Sequence, residues 1–323
     1  MKSNSTSVVK DYGILSIMYH RFDENKYPST NIKLDDFKSH INLIENSEFE
    51  FISHGQFEDS IKKNNLSKKI LLTIDDGFYS FYKNAWPILK EKKIPFIIFI
   101  NTKTVGSNGY MSWSQIKEIS QFNFVHIGNH SHSHAYLVDK NDEEIKKDLQ
   151  TSIKIFKEKL NHETNFFAYP FGEYKNSYKK IVQNLGFQYA FGQHSGAINR
   201  FSDKKYLPRF ALNEQYGALN RFKLIVNTLP LPVSEFTPKS LIIGKTNPPN
   251  VGFTVIPSLK NLNRISCFTS EEGKVATTLL GTSRVEVRMT KPFIKGRNRL
   301  NCTLPGRGGR WHWLGAIFVV PKI

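Results

Sequence analysis

The chain has 323 residues, of which 39% are hydrophobic, 13% aromatic and 23% charged, with 20 Gly and 14 Pro; this excludes collagen-like, low-complexity and wholly disordered chains. No run approaches the roughly 18 to 20 apolar residues that cross a bilayer, the best, Ile94 to Ile100, being short. The net charge is +17, and residues 239–322 hold 14 basic and 3 acidic residues, net +11, which points to an anionic glycan or lipid headgroup as partner of that region; no nucleic-acid recognition motif accompanies the charge.

At the N-terminus the first apolar run, Ile14 to Met18, is too short for a signal-peptide core, so the chain reads as cytoplasmic, at the membrane face if at a membrane at all, with export as the alternative. From residue 13 to 228, short apolar runs alternate with longer amphipathic stretches, the pattern of a parallel sheet or barrel. Strands are expected at Gly13–Met18, Phe51–Ser53, Lys69–Ile74, Phe96–Ile100, Phe124–Ile127, Asn165–Ala168 and Gln188–Phe191, and helices at Leu34–Glu45, Tyr79–Lys90, Asp142–Leu160 and Ser177–Leu185. After Leu229-Pro230-Leu231-Pro232 the helical period disappears and turn residues separate alternating runs such as Lys274–Leu280, Arg284–Arg288 and Ala316–Val320. The expected architecture is an irregular (β/α) barrel of about seven units over residues 10–230, a linker near 230–240, and a small sandwich-like β module over 238–323. Trp311 and Trp313 share one face of a strand and read as sandwich core, with a sugar-stacking platform as the other use. Cys267 and Cys302 are too few for a disulfide framework or a zinc site of their own, which leaves paired or free thiols open, with inert thiols the favoured reading.

Two motifs concentrate the chemistry. Leu71-Leu72-Thr73-Ile74-Asp75-Asp76-Gly77 is a hydrophobic strand ending in two carboxylates and a glycine; such a strand end in a parallel sheet is where ligands bind, although a solvated turn with a helix-capping Asp has the same pattern. Gly128-Asn129-His130-Ser131-His132-Ser133-His134 also follows a strand. On one helical turn His130 and His134 would share a face and could bind one ion; a surface histidine cluster is the plain alternative. One carboxylate plus two imidazoles leaves open coordination positions, as in a catalytic metal site, and the second Asp is free to move a proton. The same ligand set serves Fe(II) oxygenases, but those are all-β and this region reads βα.

Over residues 10–225 the sequence resembles the NodB-homology polysaccharide deacetylases. The family's Thr-Phe-Asp-Asp-Gly stands here as Thr73-Ile74-Asp75-Asp76-Gly77, and its His-Ser/Thr-x-x-His as His130-Ser131-His132-Ser133-His134. The resemblance implies Asp75 as general base and Asp76, His130 and His134 as ligands of a divalent metal, usually Zn²⁺, with His132 a bystander. The third motif, Arg-Pro-Pro-Tyr/Phe-Gly, stands as Ala168-Tyr169-Pro170-Phe171-Gly172; it lacks the arginine, as in the poly-N-acetylglucosamine deacetylase branch, and implies that the Phe171 amide helps stabilise the oxyanion. Tyr19-His20-Arg21-Phe22 and Leu207-Pro208-Arg209-Phe210 look like the same branch, and Arg209 is expected to replace the missing arginine by pairing with Asp75. The family's Leu-x-x-His has no clear counterpart, and His194 does not match its context. The implied activity is metal-dependent hydrolysis of the acetamide of an N-acetylated sugar in a polysaccharide or envelope precursor; the alternative is a noncatalytic, metal-containing carbohydrate-binding protein.

Overall fold

The computed structural model describes residues 13–256 and 259–321; residues 10–12 of the expected barrel, 257–258 and 322–323 of the expected module, and most of the N-terminal stretch read for targeting lie outside them. In chain order the first part consists of β1 (Leu15–Tyr19), β2 (Arg21–Phe22), β3 (Asn31–Ile32), α1 (Leu34–Glu45), β4 (Glu50–Phe51), α2 (His54–Lys63), β5 (Lys69–Asp75), α3 (Trp86–Lys92), β6 (Phe96–Ile100), α4 (Trp113–Ser120), β7 (Val125–Asn129), α5 (Asp142–Leu160), β8 (Phe166–Ala168), α6 (Asn176–Asn184), β9 (Tyr189–Phe191), β10 (Phe210–Ala211) and α7 (Leu219–Val226). Seven of these strands form a parallel sheet in the order β10-β1-β5-β6-β7-β8-β9, with β4 beside the start of β5. The sheet curls until its ends approach: Leu207 bridges Phe191 of β9, and three residues later Phe210 pairs with Ile17 of β1. This is the irregular (β/α) barrel.

Burial explains the elements. All five residues of β1 and of β6 are buried, as strands covered on both faces must be. Helix α5 opens with a capping box between Asn141 and Glu144 and ends at Asn161 in the left-handed conformation. The helix expected from Tyr79 begins instead with a π-helical turn, Phe81–Ala85, in which Trp86 N–H reaches back to the Phe81 carbonyl. Pro87 has no N–H to continue a regular ladder at that point and lies in the first turn of α3.

The second sheet comprises β11 (Thr228–Pro230), β12 (Val233–Thr237), β13 (Val251–Val255), β14 (Ser266–Thr269), β15 (Gly273–Leu280), β16 (Arg284–Arg288), β17 (Gly296–Pro305) and β18 (Trp311–Val320). Its order is β11-β18-β17-β14-β15-β16-β13-β12, antiparallel except for β11 beside β18. The stretch read as a linker, near 230–240, therefore carries β12 and the end of β11. Along β17 the inward residues Leu300, Cys302 and Leu304 are buried, while Arg297 and Arg299 point outward.

Register corrects two expectations. Cys267 of β14 and Cys302 of β17 are directly opposed and joined by a disulfide of S–S 2.01 Å, so they are not inert thiols. On β18 the alternation places His312, not the tryptophans, toward the buried face, where it bonds the Pro230 carbonyl at 2.7 Å. Trp313 instead packs edge-on against Phe210 of the barrel and Trp311 is 39% exposed, so neither is sandwich core.

Candidate active site

The carboxyl ends of the parallel strands define the site. Asp75 is the last residue of β5 and is fully buried. Arg209, just before β10 and also fully buried, meets it in a two-pronged pair, Nη1 to Oδ1 at 2.7 Å and Nη2 to Oδ2 at 2.8 Å. The guanidinium is itself held by the Gly192 carbonyl at 2.9 Å and the Thr73 hydroxyl at 3.2 Å. The structure thus makes the Arg209–Asp75 contact that the sequence suggested. Burial alone would raise the Asp75 pKa, but the charge of Arg209, helped by His130 and His20, holds it below its ordinary value.

Asp76, His130 and His134 converge beside this pair. One ligand atom from each lies within 4.8 Å of the others; Asp76 Oδ1 is 3.4 Å from His130 Nε2 and 3.1 Å from His134 Nε2. The imidazoles come together on an irregular turn rather than the helical turn expected from their spacing, because Ser131 and His134 both adopt left-handed backbone. Helix α5 secures that turn: Asp148 accepts the N–H groups of His132 and Ser133 at 2.8 and 3.1 Å. Ser152 hydrogen-bonds Asn129, whose side chain accepts the Ser131 N–H at 2.8 Å.

The donor set fits a divalent metal. His130 Nδ1 sits 2.7 Å from the Ala168 carbonyl, which fixes the proton on Nδ1 and leaves the Nε2 lone pair facing Asp76. That Nε2 and Asp76 Oδ1 are buried without a hydrogen-bond partner, an arrangement that is costly unless a cation takes both lone pairs. Burial opposes ionisation of Asp76, yet with no metal bound the imidazoles of His130 and His134, when protonated, hold its pKa well below the ordinary carboxylate value; His134, lowered by burial, is pushed up on balance by Asp76.

Phe171 walls the site from the loop after β8. Its backbone is left-handed, φ 59° and ψ 3°, unusual for a bulky residue. The ring stacks on Tyr136 with centroids 4.1 Å apart and meets the His134 ring at 4.7 Å. The next residue must be glycine: Gly172 has φ 72°, and a Cβ there would lie 2.5 Å from the Gln193 backbone nitrogen.

The other histidines divide. His20, after β1, comes within 3.9 Å of Asp75 and joins the site. His132 turns to Thr102 at 2.8 Å and stays out of the ligand cluster. His194 stacks on Tyr206 at 4.2 Å in the seam between barrel and second sheet, where burial drives its pKa to about 3. Two contributors escaped sequence reasoning. Asp148 lies on a charged helix face with no local signal, and Arg297, from the second sheet, donates to the Phe171 carbonyl at 3.0 Å.

Residues 62–190 match the family model described as polysaccharide deacetylase. The poly-beta-1,6-N-acetyl-D-glucosamine N-deacetylase of Staphylococcus aureus is 24% identical over 233 residues, covering 64% of this chain and 80% of the relative. YxkH of Bacillus subtilis is 24% identical over 186 residues, and the match spans 57% of this chain and 66% of YxkH. Among solved structures, IcaB from Ammonifex degensii is 25% identical with a TM-score of 0.60, over 67% of this chain and 97% of that one. The Streptococcus pyogenes deacetylase PplD, 22% identical with a TM-score of 0.59 over 63% and 94% of the two chains, shares the fold. By these matches residues 62–190 carry a polysaccharide deacetylase domain, and the chain is similar to poly-N-acetylglucosamine deacetylases of the NodB-homology family.

Proposed function

We propose that the protein hydrolyses the acetamide of an N-acetylated amino sugar, releasing acetate and leaving a free amine. The observation that carries this reading is the convergence of Asp76, His130 and His134 next to the ionised, arginine-bound Asp75. Asp76, His130 and His134 would hold a divalent metal, with Zn²⁺ suited to two imidazoles and one carboxylate. When bound, the metal supplies positive charge that acidifies water and polarises the acetamide carbonyl.

The remaining work falls to the chain. Asp75 takes the proton of the attacking water; Arg209 occupies one lone pair on each carboxylate oxygen, leaving others for that proton. Arg209 also prevents Asp75 from being neutralised by burial and fixes its orientation. The Phe171 N–H adds to stabilisation of the developing oxyanion. Asp75 then returns the proton to the departing nitrogen, a role suited to a site in which His194 is turned into the seam.

The Staphylococcus aureus relative is named for poly-beta-1,6-N-acetyl-D-glucosamine, which supports an N-acetylglucosamine polymer as the substrate class. The basic second sheet would favour a glycan or surface carrying negative charge. The Cys267–Cys302 disulfide favours an oxidising compartment, and so export over the cytoplasmic expectation; no helix among the described residues is long and apolar enough to cross a membrane. The noncatalytic alternative draws on the missing motif arginine and the missing acid histidine, and Arg209 against Asp75 weakens the first of these grounds.

The test is acetate release from N-acetylglucosamine oligomers. Wild-type protein loaded with Zn²⁺ should release acetate, and Asp75→Asn should lose at least about a hundredfold in kcat, the scale of a general base, with its metal retained. Equal rates for both proteins would overturn the reading.

A further inference from the structure

The wall of the site is not built by the barrel alone. Arg297, the second residue of β17, reaches across the seam between the two sheets. Its Nη1 donates to the Phe171 carbonyl at 3.0 Å and to Gln193 Oε1 at 3.1 Å, its Nε lies 3.6 Å from Glu173 Oε1, and its guanidinium carbon stands 5.6 Å from the centre of the Phe171 ring. From the barrel side, the Tyr206 hydroxyl donates to the next carbonyl, that of Gly172, at 3.0 Å. Two successive peptide carbonyls are therefore pinned at the point where the backbone is left-handed.

A left-handed phenylalanine persists only where its surroundings over-determine it. Stacking on Tyr136 fixes the ring of Phe171 but not its peptide planes. The 171–172 peptide is held at both ends, its Gly172 N–H by the Tyr169 carbonyl at 2.8 Å and its Phe171 carbonyl by Arg297, and through the left-handed dihedrals of Phe171 this sets the direction of the Phe171 N–H in the adjoining peptide. The planar fork of an arginine matches this set of acceptors, since one nitrogen bridges Phe171 and Gln193 while another faces the buried Glu173, which a lysine's single ammonium cannot reproduce.

We propose that Arg297 is a positioning residue for the deacetylation, holding the Phe171 peptide in its reactive orientation, so that the β-rich module completes the active site. This rests on the deacetylase reading above. It gives the second sheet a part in turnover separate from any glycan binding by its charge.

The experiment compares the full-length Zn²⁺-loaded wild type with Arg297→Lys, which keeps a positive charge for Glu173, and Arg297→Ala. Acetate release, metal content, melting temperature and amide hydrogen exchange of residues 169–173 are measured. The expected result for Arg297→Lys is about a tenfold loss of kcat, with KM, metal content and melting temperature near wild type. Exchange at 169–173 should be faster in both variants, and millimolar guanidinium should restore kcat in Arg297→Ala. Wild-type kcat together with wild-type exchange in Arg297→Lys would overturn the proposal, as would a loss of kcat that tracks only a fall in melting temperature. Should the wild type release no acetate, the deacetylase reading fails and the part of Arg297 in turnover fails with it; exchange then decides only whether Arg297 holds the loop, unchanged protection at 169–173 overturning that contact and accelerated exchange sustaining it.

Discussion

At the scale of single residues, the Asp75–Arg209 pair is the most exacting feature of the barrel. Both side chains are at 0% exposure, so each charge depends on the other. Removing one partner strands a buried ion, whereas removing both does not. Arg209→Met should cost about 3–5 kcal/mol in chemical denaturation, and the double variant Asp75→Leu, Arg209→Met should recover much of that loss; a single variant as stable as wild type would contradict the pairing. The two aspartates were legible because a hydrophobic strand cannot end in adjacent carboxylates without something to compensate them. The arginine was legible only through its motif: 134 residues separate it from Asp75, and no local pattern announces such a contact. Asp148 and Arg297 had neither motif nor local pattern.

At the scale of elements, the histidine turn shows how side chains were foreseen while their backbone was not. The spacing of His130 and His134 suggested a helical turn, but two left-handed residues and the acceptors of α5 do the gathering instead. Those acceptors predict an outcome. Asp148→Ala should weaken Zn²⁺ binding by roughly 10–100-fold, as loss of an outer support does, in a chelator competition; unchanged affinity would mean the turn holds its shape without α5. Helices with long, regular apolar periods, Leu34–Glu45 and Asp142–Leu160, match their expected limits. The helices α2, α4 and α7, of ten, eight and eight residues, were missed, although the nine-residue α6 was read from its period. Capping boxes at Ser53–Gln56 and Ser112–Gln115 were the signal that could have revealed the first two.

At the scale of the whole molecule, the fold class was legible from the change of period after residue 230, but the relation of the two sheets was not. Contacts such as Trp313 on Phe210 and Arg297 on Phe171 join positions about a hundred residues apart or more, which only the folded chain brings together. The same compactness buries histidines in neutral form outside the Asp76, His130 and His134 cluster. Burial lowers His40 to about 4 and, with the neighbouring His54 and His162, lowers His126 to about 2. In the unfolded chain both titrate near 6.5, so the unfolded state binds more protons below that pH. Their contribution is complete above pH 6.5 and is lost progressively as pH falls toward 4, with His126 still unprotonated there. The melting temperature should therefore drop across pH 6.5 to 4, with a shallower slope in His126→Phe; a flat profile would contradict the buried neutral histidines.

The proposed chemistry depends throughout on Asp76, His130 and His134 gripping one divalent cation. Calorimetric titration of the metal-free protein with Zn²⁺ measures this directly. One equivalent should bind to the wild type and to Asp75→Asn, and that binding should be lost in His130→Ala. Absence of binding in the wild type, or a His130→Ala protein that binds as the wild type does, would contradict it.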